Sequence, residues 1–235
     1  MNIAIIGYGK MGKAIEEILL ERGHNVIAKL NHKPEADDLQ NVDVAIEFSN
    51  PEAAFENIKS LLENKIPTIS GTTGWLDKLD EIKKINLENQ AAFLYGSNFS
   101  LGVNLFFELN EHLARLMNNY PEYKVEIEEI HHTQKLDAPS GTAISLANQI
   151  IENSNFNQWE LDGKSADKNL PIYAKRIDNV PGTHTVAYQS EIDSIEIKHT
   201  AHSRKGFALG AVLAAEWIHG KSGFFSMKDV LGLNS

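Results

Sequence analysis

Between positions 131 and 142 the chain reads His131-His132-Thr133-Gln134-Lys135-Leu136-Asp137-Ala138-Pro139-Ser140-Gly141-Thr142. Two adjacent histidines and a lysine stand ahead of a Pro-Ser-Gly-Thr turn that opens an apolar stretch of helical period. Histidine moves protons near neutral pH, and lysine holds a carboxylate or gives up a proton. In an extended segment His131 and His132 point to opposite faces, which suits one proton donor and one substrate contact. Ser140, Gly141 and Thr142 fall where the N–H groups and hydroxyls of a helix start bind a carboxylate. The histidine pair lacks the i, i+4 spacing of a helical zinc pair, and the chain has no cysteine, so no metal is expected. The plain alternative for this run is a capped helix with surface histidines.

These residues need elements to hold them. Residues 123–131 alternate Val125, Ile127 and Ile130 with acids and read as a strand, and residues 142–153 read as a helix. Around them, residues 101–118 read as a long helix, and 172–177, 184–190 and 194–200 as strands with little helix between, hence an open, mixed sheet. Residues 154–170 are polar and read as a loop. Upstream the pattern differs. Strands over 2–6, 25–30, 42–48, 67–70 and 91–95 alternate with helices over 10–22, 51–64 and 77–89, which predicts a parallel α/β sheet. A last helix over 207–219 should return to that first half. The expected layout is a nucleotide domain over 1–100 and 205–235, with an inserted α+β domain over 101–204.

The first half carries Gly7-Tyr8-Gly9-Lys10-Met11-Gly12, a GxGxxG element that follows a strand and opens a helix. Gly7 would make the tight turn, Gly9 would let the backbone approach a pyrophosphate, and Gly12 would allow close helix–strand packing. A ligand-free glycine turn is the alternative. The acid usually found at the end of the second strand is missing, and the chain reads Lys29-Leu30-Asn31-His32-Lys33. With an acid NAD is preferred, whereas a basic residue accommodates the 2′-phosphate of NADP. NADPH is therefore expected to serve at least as well as NADH, with His32 or Lys33 near the phosphate. The alternative for these two is a solvated loop. Gly71-Thr72-Thr73-Gly74 and Gly96-Ser97-Asn98-Phe99-Ser100 end two further strands, where open α/β sheets place their ligands. A cofactor site together with a proton-donating anion site describes a reduction.

Bulk properties narrow the class. The 235 residues carry a net charge of −10 with no basic tail, which argues against nucleic acid as a partner. Positive charge gathers locally at His131 to Lys135 and at His199 to Lys205. The chain has no disulfide or thiol chemistry, and no apolar run is long enough for a bilayer. Its first residues read as a strand rather than a leader, so a cytoplasmic protein is expected. His199 and Arg204 read either as cleft-lining residues near a domain hinge or as ordinary salt-bridge partners. Arg176 and His184 read as interface or sheet residues, and Trp75, Trp159 and Trp217 as packing. Acylating semialdehyde dehydrogenases are excluded by the missing cysteine, and a nucleotide-sensing module would not need His131 and Lys135 beside an anion-binding turn.

The run at 131–142 closely resembles the signature E-x-x-H-H-x-x-K-x-D-A-P-S-G-T of the 4-hydroxy-tetrahydrodipicolinate (dihydrodipicolinate) reductase family. The resemblance extends along nearly the whole chain. It takes in the glycine loop with Lys10 where Arg is common, Glu47-Phe48-Ser49, Gly71 to Gly74, Ser97 to Ser100, Gly182-Thr183-His184-Thr185, His199 to Val212, and the closing Met227 to Leu233. It implies a Rossmann-type domain, an open mixed-sheet domain that forms a homotetramer, and reduction of a cyclic dicarboxylate by NADPH or NADH. On it, His131 is the proton donor/acceptor and Lys135 a proton donor, while His132, Gly141 and Thr142 bind substrate. The segments at 7–12, 71–73 and 96–99 bind the nicotinamide cofactor. The chain departs from the family at the second-strand acid, and it looks short for the family through trimmed loops in the first domain.

Overall fold

In a computed structural model, residues 1–163, 168–203 and 205–233 are described. The chain forms two compact units, Met1–Leu101 with Arg204–Ser235, and Gly102–Ser203. Arg204 itself lies outside the described residues. In chain order the first unit contributes β1 (Asn2–Ile6), α1 (Lys10–Glu21), β2 (Asn25–Leu30), β3 (Val44–Glu47), α2 (Pro51–Glu63), β4 (Thr68–Ser70), α3 (Leu79–Asn89) and β5 (Ala92–Tyr95). There follow α4 (Leu101–Met117), β6 (Lys124–His131), α5 (Gly141–Glu152), β7 (Gln158–Leu161), β8 (Asn169–Arg176), β9 (Gly182–Gln189) and β10 (Ser194–Ala201). The chain then returns with α6 (Lys205–Ile218), β11 (Gly223–Phe225) and α7 (Met227–Val230).

The first unit is a six-stranded parallel sheet in the order β11-β5-β4-β3-β1-β2. The central strands β1 and β3 are buried on both faces, which explains their continuous apolar runs. Ile3, Ile5, Val44, Ile46 and Leu94 pack with Ile15 and Leu19 of α1 and with Ala211, Val212 and Ile218 of α6. Alternate residues Ala4, Ile6 and Ala45 pack in a separate cluster with Leu61 of α2. Each such fully buried Ile, Leu or Val side chain is worth about 1.5–3 kcal/mol. From β2 the chain crosses to β3 through one 3-10 turn at Ala36–Leu39 rather than a helix. The strand order therefore reverses direction between β1 and β3, and the loops that leave these two strands flank the crevice where such sheets take ligands.

The second unit is a mixed five-stranded sheet, β10-β9-β6-β8-β7, with β6 parallel to β8 and antiparallel to β9. The buried face of β6 runs Val125, Ile127, Glu129, His131. Its aliphatic end packs with Phe106 and Met117 of α4 and with Ala143, Leu146 and Ile150 of α5. Asn110 ties the two helices by donating to the Leu146 carbonyl at 3.1 Å and to Gln149 Oε1 at 2.9 Å.

Several elements depart from expectation. The polar stretch at 154–170 holds β7 and the start of β8. β7 pairs on one side only, and its Gln-Trp-Glu-Leu, with Trp159 and Glu160 half-buried between exposed ends, shows no alternation. β11 adds a sixth strand to the first sheet. With three residues it is too short for a period-2 signal, and its neighbour α7 is a single turn. The third helix begins at Leu79, preceded by a 3-10 turn at Leu76–Lys78, rather than at residue 77.

Candidate active site

In the first unit the glycine loop has the shape its residues predict. Gly7 has φ 91°, and a Cβ there would lie 2.1 Å from the Phe48 carbonyl oxygen. A Cβ on Gly12 would lie 2.6 Å from the Gly7 oxygen, whereas Gly9 has nothing within 4 Å. The N-terminus of α1 carries no acid in its first turn and no side-chain cap. Its first N–H groups, with no intrahelical acceptor, face an open cradle beside exposed Lys10, as a dinucleotide's phosphates require. Asn31, at the position of the missing acid, accepts from the Tyr8 N–H at 2.8 Å. The Tyr8 hydroxyl bonds Glu16, and Lys29 pairs with the same carboxylate at 2.5 Å. His32 is exposed, and Lys33 lies 3.1 Å from Glu56 of α2.

The other cofactor-loop residues divide. Thr73 and Ser97 are exposed, and Met11, Gly71 and Asn98 are half-buried. The Thr72 hydroxyl is spent inside the fold, 2.9 Å from Glu47 and 2.9 Å from the Ser49 N–H. The Phe99 ring, named above as a cofactor contact, is only 2% exposed. It packs on Phe48 with ring centres 5.5 Å apart and closes over buried Gly96, so it supports the loop from within. Glu47 was visible only through its motif. Its fully buried carboxylate accepts from the Ser49 hydroxyl and N–H, the Ser70 hydroxyl at 2.6 Å and the Thr72 hydroxyl. Burial raises its pKa, and these donors pull it back. One carboxylate thus joins the loops that follow β3 and β4.

In the second unit, β6 ends in two buried polar residues on one face, Glu129 and His131. His132 lies beyond the strand and is half-buried. Register brings Glu129 opposite His184 on β9, and His184 opposite His199 on β10. Glu129 Oε1 accepts from Arg176 at 3.2 Å, and Oε2 accepts from the Ser140 N–H at 2.9 Å. Oε2 also lies 3.7 Å from His131 Nδ1 and 3.8 Å from His184 Nε2. Arg176 donates to the Asp137 carbonyl at 2.7 Å as well, which ties the histidine–lysine loop to the sheet. Burial lowers the His131 pKa, and the Glu129 charge partly restores it. Burial, with His131 and His199 nearby, drives His184 down to about 3, so it is neutral.

Ser140 caps α5. Its hydroxyl accepts from the Ala143 N–H at 3.2 Å and lies within hydrogen-bond distance of His184 Nε2 at 3.0 Å. Being 4% exposed, Ser140 anchors the helix start from inside. A Cβ on Gly141 would meet no atom within 4 Å, Thr142 is half-buried, and their N–H groups head α5 without intrahelical acceptors. Lys135 is held by both carboxylate oxygens of Asp137 at 2.8 Å, which depresses the Asp137 pKa. Arg176 and His184, read above as sheet or interface residues, are parts of this site. The signature spacing E-x-x-H-H selects Glu128, which pairs with Lys175 at the surface, whereas the buried acid is Glu129. Only strand alternation, which puts residue 129 on the face of 131, could have identified it. Among the described residues, Glu129, His131 and His184 are the three whose metal-ligating atoms converge, within 4.8 Å. Arg176 and the Ser140 N–H already balance that carboxylate.

Comparison with known proteins agrees with both halves. Family models described as dihydrodipicolinate reductase, N-terminus and C-terminus, match residues 1–99 and 102–231. A 4-hydroxy-tetrahydrodipicolinate reductase of Christiangramia forsetii is 57% identical over 98% of each chain. One of Thermosipho africanus is 35% identical over 98% of each. A dipicolinate-bound dihydrodipicolinate reductase from Paenisporosarcina has the same fold, with TM-score 0.78 and 23% identity over 97% of this chain and 98% of that one. With family models matching residues 1–99 and 102–231, the chain belongs to the dihydrodipicolinate reductase family.

Proposed function

We propose that the chain reduces 4-hydroxy-tetrahydrodipicolinate (dihydrodipicolinate) to tetrahydrodipicolinate with NADPH or NADH, in the biosynthesis of diaminopimelate and lysine. Family membership carries the reaction. The residue roles rest on one observation, a buried histidine on an acid-backed strand end that adjoins the open start of α5. The bound cofactor supplies a hydride to the conjugated ring of the substrate. The chain's own residues do the rest. Gly7 to Gly12, with Lys10, hold the pyrophosphate, and the loops at 71–73 and 96–98 complete the cofactor site around Glu47. The N–H groups of Gly141 and Thr142, with His132 and Lys135, hold the carboxylates of a cyclic dicarboxylate and so orient the ring.

Loss of the substrate's hydroxyl as water gives the conjugated imine, and hydride addition leaves an electron-rich enamine. His131 donates the proton that quenches it, directly or through water, and Lys135 assists. The balance is one substrate, one NAD(P)H and one proton to one product, NAD(P)⁺ and water. No metal enters this scheme. The dipicolinate in the Paenisporosarcina protein is a ligand of the same cyclic dicarboxylate class. Assembly as a cytoplasmic homotetramer belongs to the same reading. In its support, one face of the second unit's sheet is covered by α4 and α5, while the other bears the exposed or half-buried Lys124, Glu126, Glu128 and Ile130 of β6. Among the described residues no helix is long and apolar enough to cross a membrane.

The test is saturable oxidation of NAD(P)H in the presence of substrate generated in situ, with sedimentation to give the assembly. Cofactor binding without turnover would instead mark a nucleotide-sensing module.

A further inference from the structure

We propose that Glu129 is the positioning residue that holds the Nδ1 edge of His131 inward, so that Nε2 exchanges the proton, and that Gly182 exists to leave that nitrogen uncovered. The proposal rests on the reading of His131 as proton donor. Glu129 is fully buried and cannot turn, because Arg176 grips one oxygen and the Ser140 N–H the other. That second oxygen is the one 3.7 Å from His131 Nδ1. Nδ1 is buried, with no hydrogen-bond partner among the described residues. A buried polar edge facing a fixed carboxylate is stabilised when it carries the ring proton, which leaves the lone pair on Nε2.

The opposite edge of the ring meets β9. A Cβ at position 182 would lie 3.2 Å from His131 Nε2 and 3.3 Å from Cδ2. Gly182 lies in a strand, with a φ outside the left-handed region that demands glycine. Space rather than conformation therefore explains its type. An alanine would press on the reactive nitrogen and make the ring give by a few tenths of an ångström; since a misplacement of about 1 Å costs on the order of 100-fold in rate, a loss of about tenfold is expected.

The groups that face His131 are Glu129 on its own strand, Lys135 and Asp137 in the loop, Arg176 on β8 and His184 on β9. Of the charges, Glu129 does most to favour the protonated ring, while Lys135 and Arg176 oppose it. Glu129→Gln keeps the volume and removes that charge, so His131 must titrate at lower pH.

The test is ¹⁵N NMR of the histidine rings in the full-length enzyme, beside pH profiles of kcat/KM. Wild type is expected to show neutral His131 as the Nδ1–H tautomer. In Glu129→Gln the His131 midpoint and the alkaline limb of kcat/KM move together to lower pH. There kcat falls about tenfold or more, and the KM for NAD(P)H holds. Gly182→Ala should lower kcat about tenfold or more at unchanged KM for NAD(P)H. An Nε2–H tautomer in wild type, an unmoved midpoint in Glu129→Gln, or full kcat in Gly182→Ala overturns the proposal. If Glu129→Gln does not fold, the wild-type tautomer and Gly182→Ala decide. A midpoint that moves while the kcat/KM limb stays would remove His131 as the donor and leave its coupling to Glu129 standing.

Discussion

His131 and Lys135 stand four residues apart in different surroundings. His131 is buried against a carboxylate, while Lys135 is held by the exposed Asp137. Loss of either should slow the proton-transfer step rather than cofactor binding. His131→Ala and Lys135→Ala should each lower kcat by about 10²–10⁴-fold, the scale of a general acid, with the Kd for NAD(P)H unchanged in direct titration. Near-full turnover in His131→Ala would remove it from the chemistry. Cofactor choice is also a residue question. Lys33 is paired with Glu56 at 3.1 Å, and both side chains are about half exposed, so the pair is worth at most about 1 kcal/mol and is easily released. If Lys33 meets the 2′-phosphate, Glu56→Gln should tighten NADPH severalfold and leave NADH alone, whereas Lys33→Ala should weaken NADPH only. Equal Kd values for NADPH in both variants and wild type would return Lys33 to the solvated loop.

Secondary elements set these side chains by register and close approach. The period of two along β6 turns an aliphatic face into Glu129 and His131 at the strand's end, and the pairing with β9 sets His184 beside them. On the cofactor side, α6 approaches the loop at 96–100 through Gly210. A Cβ on Gly210 would lie 1.6 Å from the Phe99 carbonyl oxygen. Since a backbone carbonyl cannot step aside as a flexible side chain would, α6 or the loop must move. Gly210→Ala is therefore expected to cost about 1–3 kcal/mol of stability, the scale of overpacking, and to weaken NAD(P)H binding. Thermal unfolding with and without cofactor would measure both, and an unaltered melting temperature would show that the approach is looser than the distance implies.

Across the whole molecule, the buried polar cluster makes stability depend on pH. His184 has a folded pKa of about 3 against an ordinary 6.5, and that of His131 is lowered as well. Above pH 6.5 both states are neutral at these rings and the cluster costs nothing by protonation. As pH falls below 6.5, the unfolded chain binds protons that the folded chain refuses, so stability falls. For His184 the slope is at most about 1.4 kcal/mol per pH unit, and the loss continues down to about pH 3. Urea midpoints should drop between pH 6.5 and 5, before most carboxylates protonate, and His184→Asn should flatten that drop. A flat wild-type profile in this range would mean that the cluster accepts a proton without strain.

Local sequence determined much of this protein by itself. A glycine loop between an apolar strand and an amphipathic helix has few physical uses, and the helix start at Ser140 is written in its turn residues. Both are effects of neighbouring positions on backbone conformation, which a linear reading contains. Tertiary structure decided what depends on distant partners. It drew Arg176, Gly182 and His184 to His131 from strands more than 40 residues away in sequence, through a register no local signal encodes. It also buried Ser140 and Phe99, because burial depends on what the rest of the chain packs over them. The short edge strands β7 and β11 stayed illegible for a related reason, since three or four residues with one neighbour carry too little pattern to read.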